Sequence, residues 1–384
     1  MQHVVLAREA ELGGRPPAAL IALADRLEAQ PGLSAWLLDR TRPPALPPTL
    51  TNRFMHAPLP PEPGDGGPPS GLVEVLARAG LDCSERLEYS VKAWLDILGL
   101  VKPALLVCQQ APVAALAASI ADLPVVHFGP GWSIGPNPEA FHPWIDSASQ
   151  DDTALAALLA SVNTVLARNK QSALKHLGEL YAPADRVLIQ GWPALDPYLR
   201  ASRPRYTGCW PEVQTNAARR KPGQHPRLLA VLENHRNLRN LLAWLADEHL
   251  DCCLDLPPSA AEMARHFTSR SMTLRTDPPG QTDALDADLV ICHGQHEAVL
   301  EALAAGRPLL ILPQSPLEQR LARRLENLGL AVVLTGPAEP SARRAALASL
   351  LQDKAIQRRA LSWARQQSTG RADPVAEITK LCRQ

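Results

Sequence analysis

Residues 288–313 of the chain read DLVICHGQHEAVLEALAAGRPLLILP. The apolar run Leu289 to Cys292 is short enough for a buried strand, and the residues after it carry the apolar spacing of a helix. Gly306 is a good left-handed helix end, and Pro308 begins a second apolar run. A strand, a helix and a strand in this order predict a βαβ unit and therefore a parallel sheet.

The same alternation extends to both sides of this stretch. In the second half we predict strands at 228–232, 251–255, 288–292, 309–312 and 331–334, helices at 237–248, 297–305 and 317–328, and a helical tail from 341. In the first half we predict strands at 3–7, 34–38, 104–108, 124–128 and 186–189, and helices at 17–29, 85–99, 112–121 and 152–178. The sequence therefore predicts an α/β protein with two Rossmann-like doubly wound parallel-sheet domains.

Two proline-rich stretches interrupt this pattern. The stretch 41–71 is so rich in Pro and Gly that we expect one long loop without strand or helix. The polar stretch 201–226 separates the two alternating halves. We predict an N-terminal domain over 1–210, a linker over 211–226, a C-terminal domain over 227–365 and a helical tail over 366–384.

Composition limits the classes of partner. The chain has 384 residues, which favours two domains, and its 39 Lys and Arg balance 39 Asp and Glu, which gives no electrostatic reason to expect nucleic acid as a partner. Its seven cysteines are an odd number without CxxC spacing, which favours a reduced protein without structural zinc. Neither a signal h-region nor a run of about 20 apolar residues is present, so we expect a cytoplasmic protein with no transmembrane segment.

The segment 288–334 resembles the donor-binding segment of the GT-B nucleotide-sugar glycosyltransferases, the family that includes macrolide and plant natural-product enzymes. The resemblance rests on a series of motifs in the family's order and spacing: Cys292-His293-Gly294, the helix ending at Gly306-Arg307-Pro308, Leu310-Ile311-Leu312-Pro313 and Glu318-Gln319. It extends more weakly to the first helix and to the segment 196–208. The resemblance implies two domains that face a cleft, with the donor in the C-terminal half and the acceptor bound between the domains.

The resemblance also implies donor-binding residues. Ligands of open parallel sheets bind beyond the carboxyl ends of the strands. His293 and the helix start at Gly294, Gln295 and His296 would meet the diphosphate, while Glu318 and Gln319 would bind sugar hydroxyls. Asn234, after the first strand of this half, would lie near the donor. The alternatives are a packing or capping role for His293, a pair that only complements the helix dipole for Glu318-Gln319, and a helix cap for Asn234.

The acceptor side follows the first strand, in the turn from Glu9 to Pro16. The family has its catalytic histidine here, but alignment on the following helix places Pro16 at that position. Glu11, or else Glu9, would have to replace it as base, with a pKa raised by its surroundings; the alternative is a pair of solvated carboxylates. We assign Gly13, Gly14 and Trp132 to the acceptor side, although a tryptophan beside glycines also suits packing.

The leading interpretation of function is a glycosyltransferase of the hexosyltransferase type. It would use a UDP- or dTDP-linked sugar as co-substrate, without cofactor or metal, and an acceptor that the sequence does not identify. Gln295, Glu297 and Ala298 stand where the family has Gly, Gly and Thr, and Glu297 would repel a diphosphate. These departures favour a second interpretation, a non-catalytic relative that serves as a binding or partner module. An epimerase of the same architecture is a third, which no feature favours.

Overall fold

The computed structural model describes residues 1–9, 17–58, 67–136, 141–145, 151–181, 186–198, 200, 204–212, 226–248, 250–275, 283–336 and 339–383. These residues form two compact units. The first contains the chain up to Thr207 together with the segment from Arg371 onward, and the second contains Gly208 to Gly370. Each unit is built on its own sheet.

The first unit has a seven-stranded sheet in the order β3-β2-β1-β4-β5-β6-β7. Its strands are β1 (Gln2–Arg8), β2 (Leu33–Asp39), β3 (Phe54–His56), β4 (Leu105–Gln109), β5 (Val125–Pro130), β6 (Val187–Gln190) and β7 (Arg205–Gly208). Its helices up to β7 are α1 (Ala18–Glu28), α2 (Leu72–Leu76), which continues as a π-helical turn over Ala77–Leu81, α3 (Ser84–Val101), α4 (Pro112–Ile120) and α5 (Asp152–Arg168). Short 3₁₀ helices lie at Pro48–Leu50, Gly131–Ser133, Leu177–Leu180 and Pro193–Leu195.

The second unit has a six-stranded sheet in the order β10-β9-β8-β11-β12-β13, with every neighbouring pair parallel. Its strands are β8 (Arg227–Val231), β9 (Asp251–Asp255), β10 (Met272–Leu274), β11 (Leu289–Cys292), β12 (Leu309–Ile311) and β13 (Ala331–Val333). Its helices are α6 (Leu238–Asp247), α7 (Pro258–Arg265), α8 (Asp283–Asp286), α9 (His296–Ala304), α10 (Pro316–Asn327), α11 (Pro340–Gln352) and α12 (Lys354–Gln366). The last helix of the chain, α13 (Pro374–Cys382), belongs to the first unit.

The central strands are continuous apolar runs because helices cover both faces of a doubly wound sheet. All four residues of β11 are buried, and so are the last five of β1. In both sheets the strand order reverses after the first strand, between β1 and β4 and between β8 and β11. The prediction of two doubly wound parallel-sheet domains is confirmed. The reversal matters for function, because ligands of such sheets bind beyond the carboxyl ends of the strands at this point.

Two predictions of local structure are wrong. The expected loop 41–71 contains β3, which pairs in parallel with β2 from Leu37↔Phe54 to Asp39↔His56. No proline falls between Pro48 and Pro58, so this stretch can supply a short strand at the sheet edge. The helix expected over 152–178 ends at Arg168, because Lys170 takes a left-handed φ of +59° and the N–H of Gln171 donates to the carbonyl of Leu166 at 2.9 Å, which closes the helix end.

Several short elements were not predicted. Among them are β7, β10 and α7, which have four, three and eight residues. β7 lies inside the stretch read as a polar separator, and most of the predicted linker, residues 213–225, lies outside the described residues. The predicted domain bounds stay predictions.

The chain returns to the first unit at its carboxyl end. The N–H of Ala372 donates to the carbonyl of Tyr206 beside β7 at 2.9 Å, and α13 packs against α1. Residues 371–383 are therefore packed on the first unit. No helix in the described part of the chain has the length and apolar character needed to cross a bilayer.

Candidate functional site

Three turns follow neighbouring strands at the carboxyl edge of the second sheet. We call residues 232–237 the β8 turn and residues 293–295 the β11 turn. The third turn, residues 312–315, leads from β12 to helix α10 and ends at the N-cap residue Ser315. β8, β11 and β12 are adjacent and parallel, so these turns emerge at the same edge. All of the donor-binding residues predicted from the sequence lie in these turns or in the first turns of α9 and α10.

His293 is fully buried in the β11 turn. Its Nδ1 lies 2.9 Å from the carbonyl oxygen of Leu312, just after β12, so in the neutral imidazole Nδ1 is the protonated nitrogen. The predicted site residue is thus fixed by the neighbouring strand end. This contact agrees with the packing alternative for the ring.

Gln295 joins the ends of the two central strands. Its Oε1 accepts from the N–H of His293 at 2.9 Å, and its Nε2 donates to the carbonyl of Val231, the last residue of β8, at 3.3 Å. A glycine at this position could make neither contact. The side chain therefore satisfies two backbone groups at the point where β8 and β11 separate.

Gly294 brings the β11 turn against helix α10. Its φ is +103°, in the left-handed region that favours glycine. A β-carbon on Gly294 would lie 3.3 Å from Cβ and 3.5 Å from Cα of Glu318. The motif predicted to meet the diphosphate and the motif predicted to bind the sugar are therefore in direct contact.

Glu318 takes part in the cap of helix α10. The Ser315 hydroxyl accepts from the N–H of Glu318 at 3.3 Å, and the Glu318 carboxylate accepts from the N–H of Gln314 at 2.8 Å. This reciprocal arrangement is a form of the capping box. The carboxylate predicted to bind a sugar hydroxyl thus also takes part in the start of its own helix.

The Glu318 carboxyl titrates near neutral pH. Burial raises its pKa to about 7, against the lowering effect of the hydrogen bonds from Gln314 and Ser315, and the charge of Glu233 in the β8 turn raises it further. Near pH 7 this group can therefore either accept or donate a hydrogen bond. Both properties suit a ring of sugar hydroxyls.

The remaining predicted residues of this edge differ in exposure. Gln319 is half-buried beside Glu318, and its N–H donates to the carbonyl of Ser315 at 2.9 Å. His296, the first residue of α9, is half-buried as well. Glu297 is exposed in the first turn of α9, so its carboxylate reaches solvent and does not fill the interior of the site.

In the β8 turn, His235 contacts a predicted site residue, although the sequence analysis assigned only its neighbour Asn234 to the site. Asn234 is exposed, and the residue that precedes α6 is Asn237, so Asn234 does not cap that helix. The next residue, His235, packs its ring edge-on against His293, with centroids 4.6 Å apart and an interplanar angle of 89°. Its position just after a central strand was the only sequence signal.

At the corresponding edge of the first sheet, Glu9 follows β1. Its carboxylate accepts from the N–H of Val113 at 2.9 Å and of Ala114 at 2.7 Å, in the first turn of α4. Burial raises the pKa of Glu9 to about 8, against the lowering effect of these two bonds. Glu9 is only 2% exposed, so it holds a helix start and does not face an acceptor.

The other predicted residues of the acceptor side have mixed outcomes. Glu11, Gly13 and Gly14 lie outside the described residues and stay predictions. Trp132 is 8% exposed and packs edge-on against Trp144 at 5.6 Å, while its carbonyl accepts from the Tyr198 hydroxyl at 3.2 Å. These contacts favour the packing alternative for Trp132.

Known proteins resemble the chain in sequence and in fold. No family model matches it. It is 26% identical over 294 residues to the zeaxanthin glucosyltransferase of Pseudescherichia vulneris, a match that covers 70% of each chain. Among solved structures it resembles the calicheamicin glycosyltransferase CalG4, with a TM-score of 0.69 and 17% identity over 100% of this chain and 98% of the other. It also resembles the Streptomyces sp. SF2575 glycosyltransferase SsfS6 in complex with thymidine diphosphate, with a TM-score of 0.63 and 16% identity over 100% of this chain and 99% of that one.

Proposed function

We propose that this chain is a GT-B nucleotide-sugar glycosyltransferase, which transfers a sugar from a nucleoside diphosphate to an acceptor hydroxyl; its similarity to the zeaxanthin glucosyltransferase and to the folds of CalG4 and SsfS6 supports this proposal. The observation that carries the proposal is the contact between Gly294 and Glu318. In this proposal the turn that meets the diphosphate and the carboxylate that binds the sugar are in direct contact, as the adjoining groups of one donor molecule require. The strand reversal between β8 and β11 is where such folds bind nucleotides.

The reaction defines what the residues must do. The acceptor oxygen forms a bond to the anomeric carbon while the bond from that carbon to the diphosphate oxygen breaks, and the diphosphate leaves with the electron pair. A base takes the hydroxyl proton, and positive or N–H groups stabilise the leaving charge. In this proposal Glu318 and Gln319 orient the sugar, and the start of α9 faces the diphosphate, with His293 buried in the turn before it.

We propose Glu11 as the base. Of the two carboxylates considered in that turn, Glu9 is engaged with two N–H groups of α4, which leaves Glu11 to take the proton. The donor would be a TDP- or UDP-linked sugar, because the SsfS6 structure is a complex with thymidine diphosphate. No cofactor or metal enters this proposal.

A panel of nucleotide sugars tests the function. Binding to the folded protein raises its melting temperature by mass action, so TDP-, UDP- and GDP-glucose are compared by thermal shift. We expect a rise with the TDP or UDP donor, followed by slow release of nucleoside diphosphate in the presence of hydroxylated acceptors. Absence of any shift at millimolar donor would contradict the proposal and favour the non-catalytic module.

A double variant tests the site within the panel. Glu318→Ala with Gln319→Ala should weaken donor binding by about tenfold or more, because hydrogen bonds to the sugar are lost. The matched control is Glu262→Ala, which removes an exposed glutamate from α7 of the same unit. Unchanged donor affinity in a folded double variant would remove both residues from the site.

A further inference from the structure

We propose that His235 is a phosphate-binding residue of the donor site and that its imidazole takes up a proton when the diphosphate of a nucleotide sugar binds. The proposal rests on the proposed function, and it concerns a residue of the β8 turn.

The hydrogen bonds of His235 fix its tautomer. Nδ1 accepts from the N–H of Asn237 at 3.2 Å, so in the neutral ring the proton lies on Nε2. Nε2 is buried and has no hydrogen-bond partner among the described residues. A buried donor without a partner costs free energy, and a ligand that accepts from it recovers that cost.

The position of the ring brings this donor to the strand reversal, where the diphosphate of the proposed donor would bind. His235 packs edge-on against His293, so the two imidazoles stand together at the strand reversal. The backbone donor of His293 is already bonded to Gln295. Because that N–H is occupied, a side-chain donor from the adjacent turn is the natural replacement.

Charge makes an anion the fitting ligand. Burial lowers the pKa of His235, so the free protein holds the neutral ring at neutral pH. A diphosphate at Nε2 favours the charged imidazolium and forms a stronger, charge-assisted hydrogen bond. The titratable and charged groups of the surrounding elements are Glu233 and Arg236 in the β8 turn, His293 and His296 after β11, Glu297 in α9 and Glu318 in α10.

Calorimetric titration with thymidine diphosphate glucose tests the proposal. This donor has no phosphate group that titrates near neutral pH, so proton uptake measured in two buffers of different ionisation enthalpy reports the protein. We expect net uptake of a proton fraction near pH 6.5 and affinity about tenfold lower near pH 8 than near pH 6. The full chain is used throughout.

Three variants assign the proton. His235→Gln keeps a donor near the Nε2 position but cannot become charged, so it should bind at all pH values as the wild type does near pH 8. The matched control His266→Gln, an exposed histidine at the end of α7, should behave as the wild type. Glu318→Gln should still show the proton uptake assigned to His235, which is the uptake that is lost in His235→Gln.

The outcomes separate this proposal from the function itself. Equal proton uptake in His235→Gln and wild type, or uptake lost only in Glu318→Gln, overturns the role of His235 and leaves the glycosyltransferase proposal standing. Failure of the folded wild type to bind any nucleotide sugar overturns both. A donor that binds with pH-independent affinity to the wild type also overturns the role of His235.

Discussion

The two units place a helix start at the same point of their sheets and occupy it differently. Helix α4 follows β4, the neighbour of β1, and helix α9 follows β11, the neighbour of β8. At α4 the buried carboxylate of Glu9 accepts from the first-turn N–H groups. At α9 the residue before the helix, Gln295, makes no side-chain hydrogen bond to it and contacts the strand ends instead.

In the proposed function, this difference favours the second unit as the one that receives the diphosphate. A carboxylate at a helix start uses the same N–H groups and the same positive potential that a phosphate needs. In the first unit the buried Glu9 carboxyl already occupies those N–H groups from within the protein. In the second unit the carboxylate of the first turn, Glu297, is exposed, which favours donor binding there.

The largest effect is expected from removing the internal carboxylate. Glu9→Ala leaves two buried N–H groups without their acceptor, which costs on the order of 2–4 kcal/mol and lowers Tm by several degrees. Glu297→Ala in the other helix start should change stability by less than about 0.5 kcal/mol. Both are measured by thermal unfolding followed by circular dichroism. Equal losses in the two variants would show that the two helix starts do not differ in this way.

A second variant makes the start of α9 more like that of the related enzymes. Gln295→Gly removes the amide between the strand ends, and Glu297→Gly removes a carboxylate charge. Repulsion between that carboxylate and a diphosphate a few ångströms away weakens binding by about 1–4 kcal/mol. Donor affinity should therefore rise by about one to three decades, measured by calorimetry after folding is checked.

The control for the glycine substitutions is Glu262→Gly in α7, which carries a similar helix cost of about 1 kcal/mol without touching the site. Unimproved binding in a folded double variant would mean that neither side chain obstructs the diphosphate. Loss of binding would mean that the Gln295 bridge itself shapes the site.

The remaining prediction concerns the pH dependence of stability. Glu9 and Glu318 both have a folded-state pKa above the ordinary value of 4.5, about 8 and about 7 respectively. The folded protein then binds more protons than the unfolded chain, so these groups reduce stability as pH rises from 4.5 to 8 and from 4.5 to 7. The pKa shift of Glu318 is the smaller of the two, so its share of the pH dependence should be the smaller as well.

Melting temperatures between about pH 5 and pH 8 measure these slopes. Glu9→Gln should flatten the profile more than Glu318→Gln, because Glu9 is the more deeply buried carboxyl. Two results would contradict the burial assigned to these carboxyls. One is a wild-type melting temperature that rises with pH between about pH 5 and pH 8, and the other is a larger change of the profile in Glu318→Gln than in Glu9→Gln.

The sequence by itself determined the fold class, because apolar runs alternate with stretches of helical spacing in both halves of the chain. Runs such as Leu289 to Cys292 suit a strand in a sheet that helices cover on both faces. Gly306 and Pro308 mark the end of the helix that follows this run. Short edge strands were beyond this reasoning. β3 and β10 have three residues each, and their stability comes from pairing with β2 and β9, which local sequence does not encode.

For the site, the sequence by itself determined which turns follow the central parallel strands, because that position is readable from the pattern, and it predicted the donor site there. The tertiary structure decided what each side chain there does. Glu9 and Glu318 are both carboxylates after strands, yet one holds a neighbouring helix start and the other caps its own helix beside Gly294. Asn234 and His235 are adjacent in sequence, yet only His235 packs on His293, because that contact depends on the spacing of two strands separated by 57 residues between Val231 and Leu289.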